Sequence, residues 1–211
     1  CSICAVSLLV RAHAQAPQST FQAEVNLIEV DTTVTDEQGN TVVGLTISDF
    51  ELFDLPQRFA QDRAEIDARW KDLQREYHPD RFAAQGQAAQ RVAMQWSVRI
   101  NEAYRRLKDP LRRAAYLCEL RGAPINAENN TAMPAQFLME QMEWREALDE
   151  AAGEAELEVL DRQLKRSRQE ALQRIGQLLD EQDDPAAAAQ QVRALMFIER
   201  FGEDVQARME Q

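Results

Sequence analysis

Trp70-Lys71-Asp72-Leu73-Gln74-Arg75-Glu76-Tyr77-His78-Pro79-Asp80-Arg81-Phe82 decides how the rest of this chain is read. Before Pro79, Ile66, Trp70, Leu73 and Tyr77 recur at spacings of four, three and four residues. That period predicts a helix from about Asp62 to Tyr77 with one buried apolar stripe. Pro79 cannot continue the helix and biases His78 away from helical dihedrals, while Asp80 is placed to cap a turn. After the break, Val92, Trp96, Ile100, Ala103 and Leu107 mark a second helix from about Gln87 to Lys108, and two antiparallel helices can zip these stripes together. On the first helix Lys71 and Arg75 fall opposite the stripe, one turn apart, with Asp67 one turn before Lys71. A small cationic face thus ends beside His78-Pro79-Asp80, with Arg69 as a further cation on the same helix; it suits either an ordinary solvated surface or a docking surface.

Charge divides the chain. Residues 50–121 hold fourteen Lys and Arg against eleven Asp and Glu, residues 122–211 hold nine against nineteen, and the whole chain carries −12. So acidic a second half argues against nucleic acid as a partner, because phosphate binding needs a basic footprint; a basic protein client remains compatible. The division falls at Arg121-Gly122-Ala123-Pro124 and the polar run through Asn129-Asn130-Thr131, where Gly122 suits a helix stop and Pro124 a segment that cannot resume one. This predicts a unit over 50–121, a linker over 122–133 and a second unit over 134–211.

The second unit reads as three helices: about Pro134 to Ala152, Glu154 to Leu179, and Pro185 to Met209, with Asp180 to Asp184 as the turn before the last. Repeats such as Leu157, Leu160 and Leu164, and Leu195, Ile198, Phe201 and Val205, describe a three-helix bundle able to bury its own core. Its first helix has more apolar surface than one stripe needs. Phe137, Trp144 and Leu148 share an arc and face the core, whereas Leu138, Met139 and Met142 point elsewhere, among Glu143, Glu146 and Glu150. An apolar patch ringed by carboxylates fits a docking surface, to which methionine is well suited; a wider core face with solvated glutamates fits the same wheel. Phe197, on the third helix, lies roughly 100° from the centre of its core stripe, a flank position.

Several of these elements carry a family resemblance. Glu51-Leu52-Phe53 and Leu55-Pro56, then His78-Pro79-Asp80 with Arg81-Phe82, then Ile100-Asn101-Glu102-Ala103-Tyr104 occur in the order found in J-domain proteins, and this part of the chain resembles a J-domain. The order of J-domain, short linker and acidic bundle, with Phe137-Leu138-Met139-Glu140-Gln141 followed by Glu143 and Arg145-Glu146, resembles the HscB family of J-type co-chaperones of iron-sulfur cluster assembly over about Phe50 to Gln211. The resemblance implies that His78, Pro79 and Asp80 meet a DnaK-like chaperone of the HscA type and stimulate its ATP hydrolysis, and with such a partner Lys71, Arg75 and Arg69 read as cations that dock on its acidic surface. It also implies that Leu138, Met139, Met142, Glu143, Glu146, Glu150 and Phe197 bind the scaffold protein IscU. The chemistry then belongs to the partner. No nucleophile at a recognisable spacing and no phosphate-cradling loop suggests an enzyme. Met142 stands where the family commonly has leucine, a volume-conserving exchange. No cofactor or metal is expected, since Cys118, the lone cysteine of the matching region, cannot build a four-ligand zinc site; it reads as a small core residue of the helix after Pro110. With only seven glycines, the chain lacks the glycine-rich region of general DnaJ proteins.

Residues 1–49 tell a different story. Ile3 to Val10 is a short apolar run followed by Ala12-His13-Ala14, the small-x-small form of a signal-peptide cleavage site; it is too short to span a membrane. Cys1-x-x-Cys4 and His13 lie there without partner ligands and read as incidental. From Val25 to Phe50 the alternation of Val30, Thr32 and Val34, the turn at Asp36 to Asn40 and Val42-Val43 predict a β-hairpin. Val30 to Asp36, Gly39, Gly44-Leu45-Thr46 and Asp49 to Leu52 resemble the start of exported bacterial proteins with a von Willebrand factor A type domain. The Asp-x-Ser-x-Ser metal loop of that domain is absent. The economical account is a fusion of unrelated pieces at Phe50 to Phe53, with a mainly all-α, cytoplasmic co-chaperone behind a foreign segment whose removal leaves the helical unit unchanged. A general J-domain adaptor for another client, and an exported surface protein, are the competing functional classes.

Overall fold

The computed structural model describes residues 47–126, 133 and 135–210, all within one compact unit. The signal-like run, Cys1, Cys4, His13 and the expected hairpin lie outside the described residues, as does the part of the linker from 127 to 132. What is described is all-helical: α1 (Asp49–Leu52), α2 (Arg63–Glu76), a 3-10 segment (Pro79–Gln85), α3 (Gln87–Lys108), α4 (Pro110–Leu120), α5 (Ala135–Glu150), α6 (Glu154–Gly176) running into a π turn (Gln177–Glu181), and α7 (Pro185–Met209). No described helix is long and apolar enough to cross a membrane.

Helix ends follow from local chemistry. Asp62, Asp109 and Asp184 each accept a backbone N–H at the start of α2, α4 and α7, and Pro110 and Pro185 occupy first-turn positions where their missing N–H is not needed. Gly122, at φ +77, ends α4: its N–H donates to the Glu119 carbonyl at 3.0 Å and the Ala123 N–H to that of Cys118 at 2.8 Å, a left-handed closure that glycine adopts most easily.

The expected stripes zip. Ile66, Ile100, Ala103 and Leu107 are fully buried, while Trp70, Leu73, Tyr77 and Trp96 are half-buried around them. Trp70 stacks on Tyr104 at 4.7 Å, and Tyr77 meets Trp96 at 5.4 Å with the rings tilted by 35°. Asn101 accepts from both Trp70 Nε1 (3.0 Å) and Gln74 Nε2 (3.1 Å), satisfying the indole inside the seam.

The hydrophobic core runs without a break from Phe50 and Phe53 through α3 and α4 into the bundle. α4 packs on α7, and the loop before α2 is fastened to the α6–α7 corner. The Asp180 carboxylate accepts the N–H groups of Phe59 (2.6 Å) and Ala60 (2.8 Å). Arg121 donates to the carbonyls of Leu179 and Gln57, and a Cβ at Gly176 would sit 3.3 Å from the Phe59 ring. Arg113 is buried; its Nε donates to the Phe59 carbonyl at 2.9 Å, its Nη1 donates to Leu107, and desolvation pulls its pKa down. Two carbonyls and the Phe59 ring, 5.3 Å away, compensate the buried guanidinium.

One expectation needs correction. The boundary drawn after residue 49 cuts through this body. Ser48 caps α1 in a reciprocal box with Glu51 (Ser48 N–H to Oε2 2.8 Å, Glu51 N–H to Oγ 3.2 Å), and those bonds lower the Glu51 pKa. Asp49 is fully buried, its carboxylate between Arg99 and Arg106 and its N–H donating to the Tyr116 hydroxyl at 3.0 Å. Removing 1–49 therefore strips a helix cap and a buried counter-charge from the helical unit. The expectation failed because an aspartate flanked by strand-like residues carries no sequence mark of arginines fifty positions away.

Candidate functional site

The first candidate surface is the corner between α2 and the 3-10 segment. Tyr77 closes α2 by donating to the Leu73 carbonyl at 2.9 Å; His78 then turns extended, at φ −66 and ψ 128, as the residue before a proline must. The capping group of this turn is His78 rather than Asp80: its Nδ1 accepts the Asp80 N–H at 3.3 Å, leaving the Asp80 carboxylate 3.6 Å from that nitrogen and 89% exposed. The imidazole is 55% exposed, so both polar members of the tripeptide are available to a partner while the half-buried Pro79 sets the bend. Arg81, quoted in the motif but given no role by the sequence, fastens the corner from behind: its N–H donates to the His78 carbonyl at 3.0 Å and its guanidinium to the Arg75 carbonyl at 3.1 Å, satisfying an end of α2. Burial raises the pKa of the neighbouring Tyr77, with Glu76 adding to it.

The cations beside the corner are less free than the wheel suggests. Lys71 is exposed and has no ion-pair partner among the described residues. Arg75 pairs with Asp72 at 3.0 Å, and Arg69 pairs at 2.6 Å with Asp54, from the turn after α1. Asp67 is taken by Arg63 at 2.8 Å and by the Tyr104 hydroxyl at 2.9 Å.

The second candidate surface is the outer face of α5. Phe137 and Trp144 are buried in an aromatic ladder with Phe197 and Phe201, centroids 5.8–6.4 Å apart, and Leu148 is half-buried beside it. Anchoring α5 by those residues turns Leu138, Met139 and Met142 outward, at 47%, 63% and 73% exposure. Glu143, Glu146 and Glu150 are exposed on the same side. Phe197 is half-buried beside α5 rather than on its outer face, in an edge contact with Phe137 at 5.8 Å and under the Arg145 guanidinium at 5.4 Å. Of the two wheel readings, the wider-core one is excluded, because three large apolar side chains stand in solvent. Among the described residues no cluster of His, Cys, Asp and Glu is arranged to hold a metal. Cys118 is buried in the core, where desolvation pushes its thiol up to about 11, so it is neither nucleophile nor ligand at neutral pH.

An antiparallel helix pair with an exposed His-Pro-Asp corner, packed against a three-helix bundle with an apolar and acidic outer face, defines a J-type co-chaperone. The family model of the HscB C-terminal oligomerisation domain matches residues 133–206. The co-chaperone protein HscB homolog of Burkholderia multivorans is 53% identical over 172 residues, 80% of this chain and 98% of that protein. Chaperone HscB from Vibrio cholerae superposes with a TM-score of 0.67 at 36% identity, over 78% of this chain and 99% of that one. Human co-chaperone protein HscB gives a TM-score of 0.72 at 31% identity, over 77% and 82%. The chain belongs to the HscB co-chaperone family, whose members regulate a partner chaperone and are not themselves enzymes.

Proposed function

We propose that this chain serves iron-sulfur cluster assembly by delivering an IscU-type scaffold protein to an HscA-type, DnaK-like chaperone and stimulating that chaperone's ATP hydrolysis in the cytoplasm. His78, Pro79 and Asp80 act at the chaperone, with Arg69, Lys71 and Arg75 steering the approach to an acidic surface. The corner stabilises the partner's hydrolysing conformation, which it binds better than the other. Leu138, Met139, Met142, Glu143, Glu146, Glu150 and Phe197 hold the scaffold: apolar side chains supply adhesion and the carboxylate ring favours a basic client. The chaperone-recruiting part runs from about Ser48 to Arg121 and the scaffold-binding bundle from residue 133 onward.

The observation that carries this reading is the pair of exposed, chemically different faces on one continuous core: a cationic corner with a free His-Pro-Asp and an acidic face with three solvent-standing apolar side chains. The test is steady-state ATP hydrolysis by an HscA-type chaperone with this chain, with and without IscU, beside a His78→Gln variant. Stimulation that rises with IscU and disappears in the variant is expected. Stimulation by the variant equal to that of the parent sinks the reading.

A further inference from the structure

Asp54 stands where a glycine is the least strained choice. Its φ is +50, its N–H donates to the Glu51 carbonyl at 3.1 Å and the Leu55 N–H to that of Phe50 at 2.9 Å. This is the same helix-ending closure that Gly122 makes for α4. A left-handed position disfavours a side chain, although aspartate tolerates it better than most. Nor does packing account for the residue, because the side chain is 83% exposed. Among the described residues, the one group its carboxylate engages is the Arg69 guanidinium, at 2.6 Å.

Arg69 is one of the three cations proposed above to steer the approach to the chaperone. Arg75 is held by Asp72 from within its own helix, Lys71 has no ion-pair partner among the described residues, and Arg69 is held by Asp54, a carboxylate from outside α2. We infer that Asp54 sets the affinity of the chaperone-facing surface: it holds Arg69 in the free protein and must release it before Arg69 can meet a carboxylate on the chaperone. The inference rests on the proposed chaperone-docking role. Docking to an acidic surface is then weaker, and less dependent on salt, than three free cations would make it.

The experiment measures HscA-type ATPase activity against the concentration of this chain at low ionic strength for the parent, Asp54→Asn, Arg69→Gln and the double variant, with direct binding to the chaperone by calorimetry alongside. Asp54→Asn removes the charge and keeps a residue that tolerates the left-handed turn. It is expected to lower the half-maximal concentration about two- to fivefold, the range an exposed pair can command. Maximal stimulation should not change, and the dependence on salt should steepen. The shift should vanish in the Arg69→Gln background, since the two residues act as one unit. Asp54→Gly, which also relieves the backbone, should give the same shift without loss of stability. An unchanged half-maximal concentration in Asp54→Asn, or the same shift with Arg69 absent, overturns the inference alone while the parent still stimulates. A parent chain that neither binds nor stimulates the chaperone removes the docking role and this inference together.

Discussion

Replacing Asp49, the first residue of α1, by alanine tests whether the chain ahead of Phe50 belongs to the helical body. The carboxylate is fully buried; Arg106 Nη1 lies 2.8 Å from Oδ2 and Arg99 faces Oδ1. The Arg106 guanidinium also lies 4.6 Å above the Tyr116 ring, whose hydroxyl accepts the Asp49 N–H. Breaking a buried ion pair by removing one partner costs about 3–5 kcal/mol. Arg106 is 41% exposed and Arg99 19%, so both guanidinia can turn partly to water and the expected loss drops to about 2–3 kcal/mol. With a urea slope of about 2 kcal/mol/M for a body of this size, the midpoint of tryptophan-fluorescence unfolding should fall by about 1–1.5 M. Adding Arg99→Gln to Asp49→Ala should recover part of the loss, because one orphaned cation is gone. A loss below about 0.5 kcal/mol would refute the argument and restore the boundary after residue 49.

Asp180→Ala, which strips the acceptor from the Phe59 and Ala60 N–H groups, should cost about 1–3 kcal/mol in urea unfolding, with Asp180→Asn losing less. Because the core is continuous from Phe50 to Val205, fluorescence and far-ultraviolet dichroism should report one coincident transition; two separated transitions would show that α4 and the bundle do not unfold together. Met139→Ala and Met142→Ala should leave stability within about 0.5 kcal/mol and weaken IscU binding by about 1–2 kcal/mol each in calorimetry. Unchanged binding in both would move the scaffold elsewhere. Cys118, with Cys1 and Cys4 replaced by serine, should resist alkylation in the native protein at pH 8. Its thiol pKa is raised from 9.0 to about 11, so its contribution to stability is complete below pH 9 and is lost as pH rises to about 11. Alkaline unfolding in that window should be milder in Cys118→Ala, once that variant's own baseline is subtracted.

Elements whose cause is local were legible. Gln87–Lys108 and Pro185–Met209 have the observed bounds, and α2 is the expected helix with Asp62 and Tyr77 as its caps. Periodicity, capping aspartates and prolines act within a few residues of one another, so a linear reading captures them. The outward turn of Leu138, Met139 and Met142 was half legible: the wheel separated them from Phe137 and Trp144, but only the aromatic ladder with Phe197 and Phe201 fixes which arc is inside. Pairings across long separations were not legible. Asp49, Asp54 and Asp180 look like any surface aspartate in the sequence, and their partners lie fifteen to more than a hundred positions away. The end of α6 was also hidden. The expected helix to Leu179 gives way at Gly176 to a π turn that buries Leu178 and Leu179 and brings Asp180 to the Phe59 loop.

That π turn bears on how the two faces can work together. A helix that continued regularly past Gly176 would aim Asp180 differently by about 100° per residue of register. The wider turn instead carries the carboxylate to the backbone of the loop before α2. The side of the loop facing α4 is held by the buried Arg113, and its start by Arg121 through Gln57. Asp180 and Arg121 thus fix the α2 end of the body to the α6–α7 corner, and Arg113 fixes it to α4, in each case through backbone atoms of the loop that any side chain at those positions would present. The orientation of the proposed chaperone-facing corner relative to the proposed scaffold-facing helix is therefore held by Asp180, Arg113 and Arg121 together with the continuous core, not by the residues of either face. A preset orientation spares a two-partner assembly the ordering cost of a flexible tether. Substitutions on the faces should then change affinity for one partner at a time, and substitutions in the clasp should change how binding of one partner affects the other.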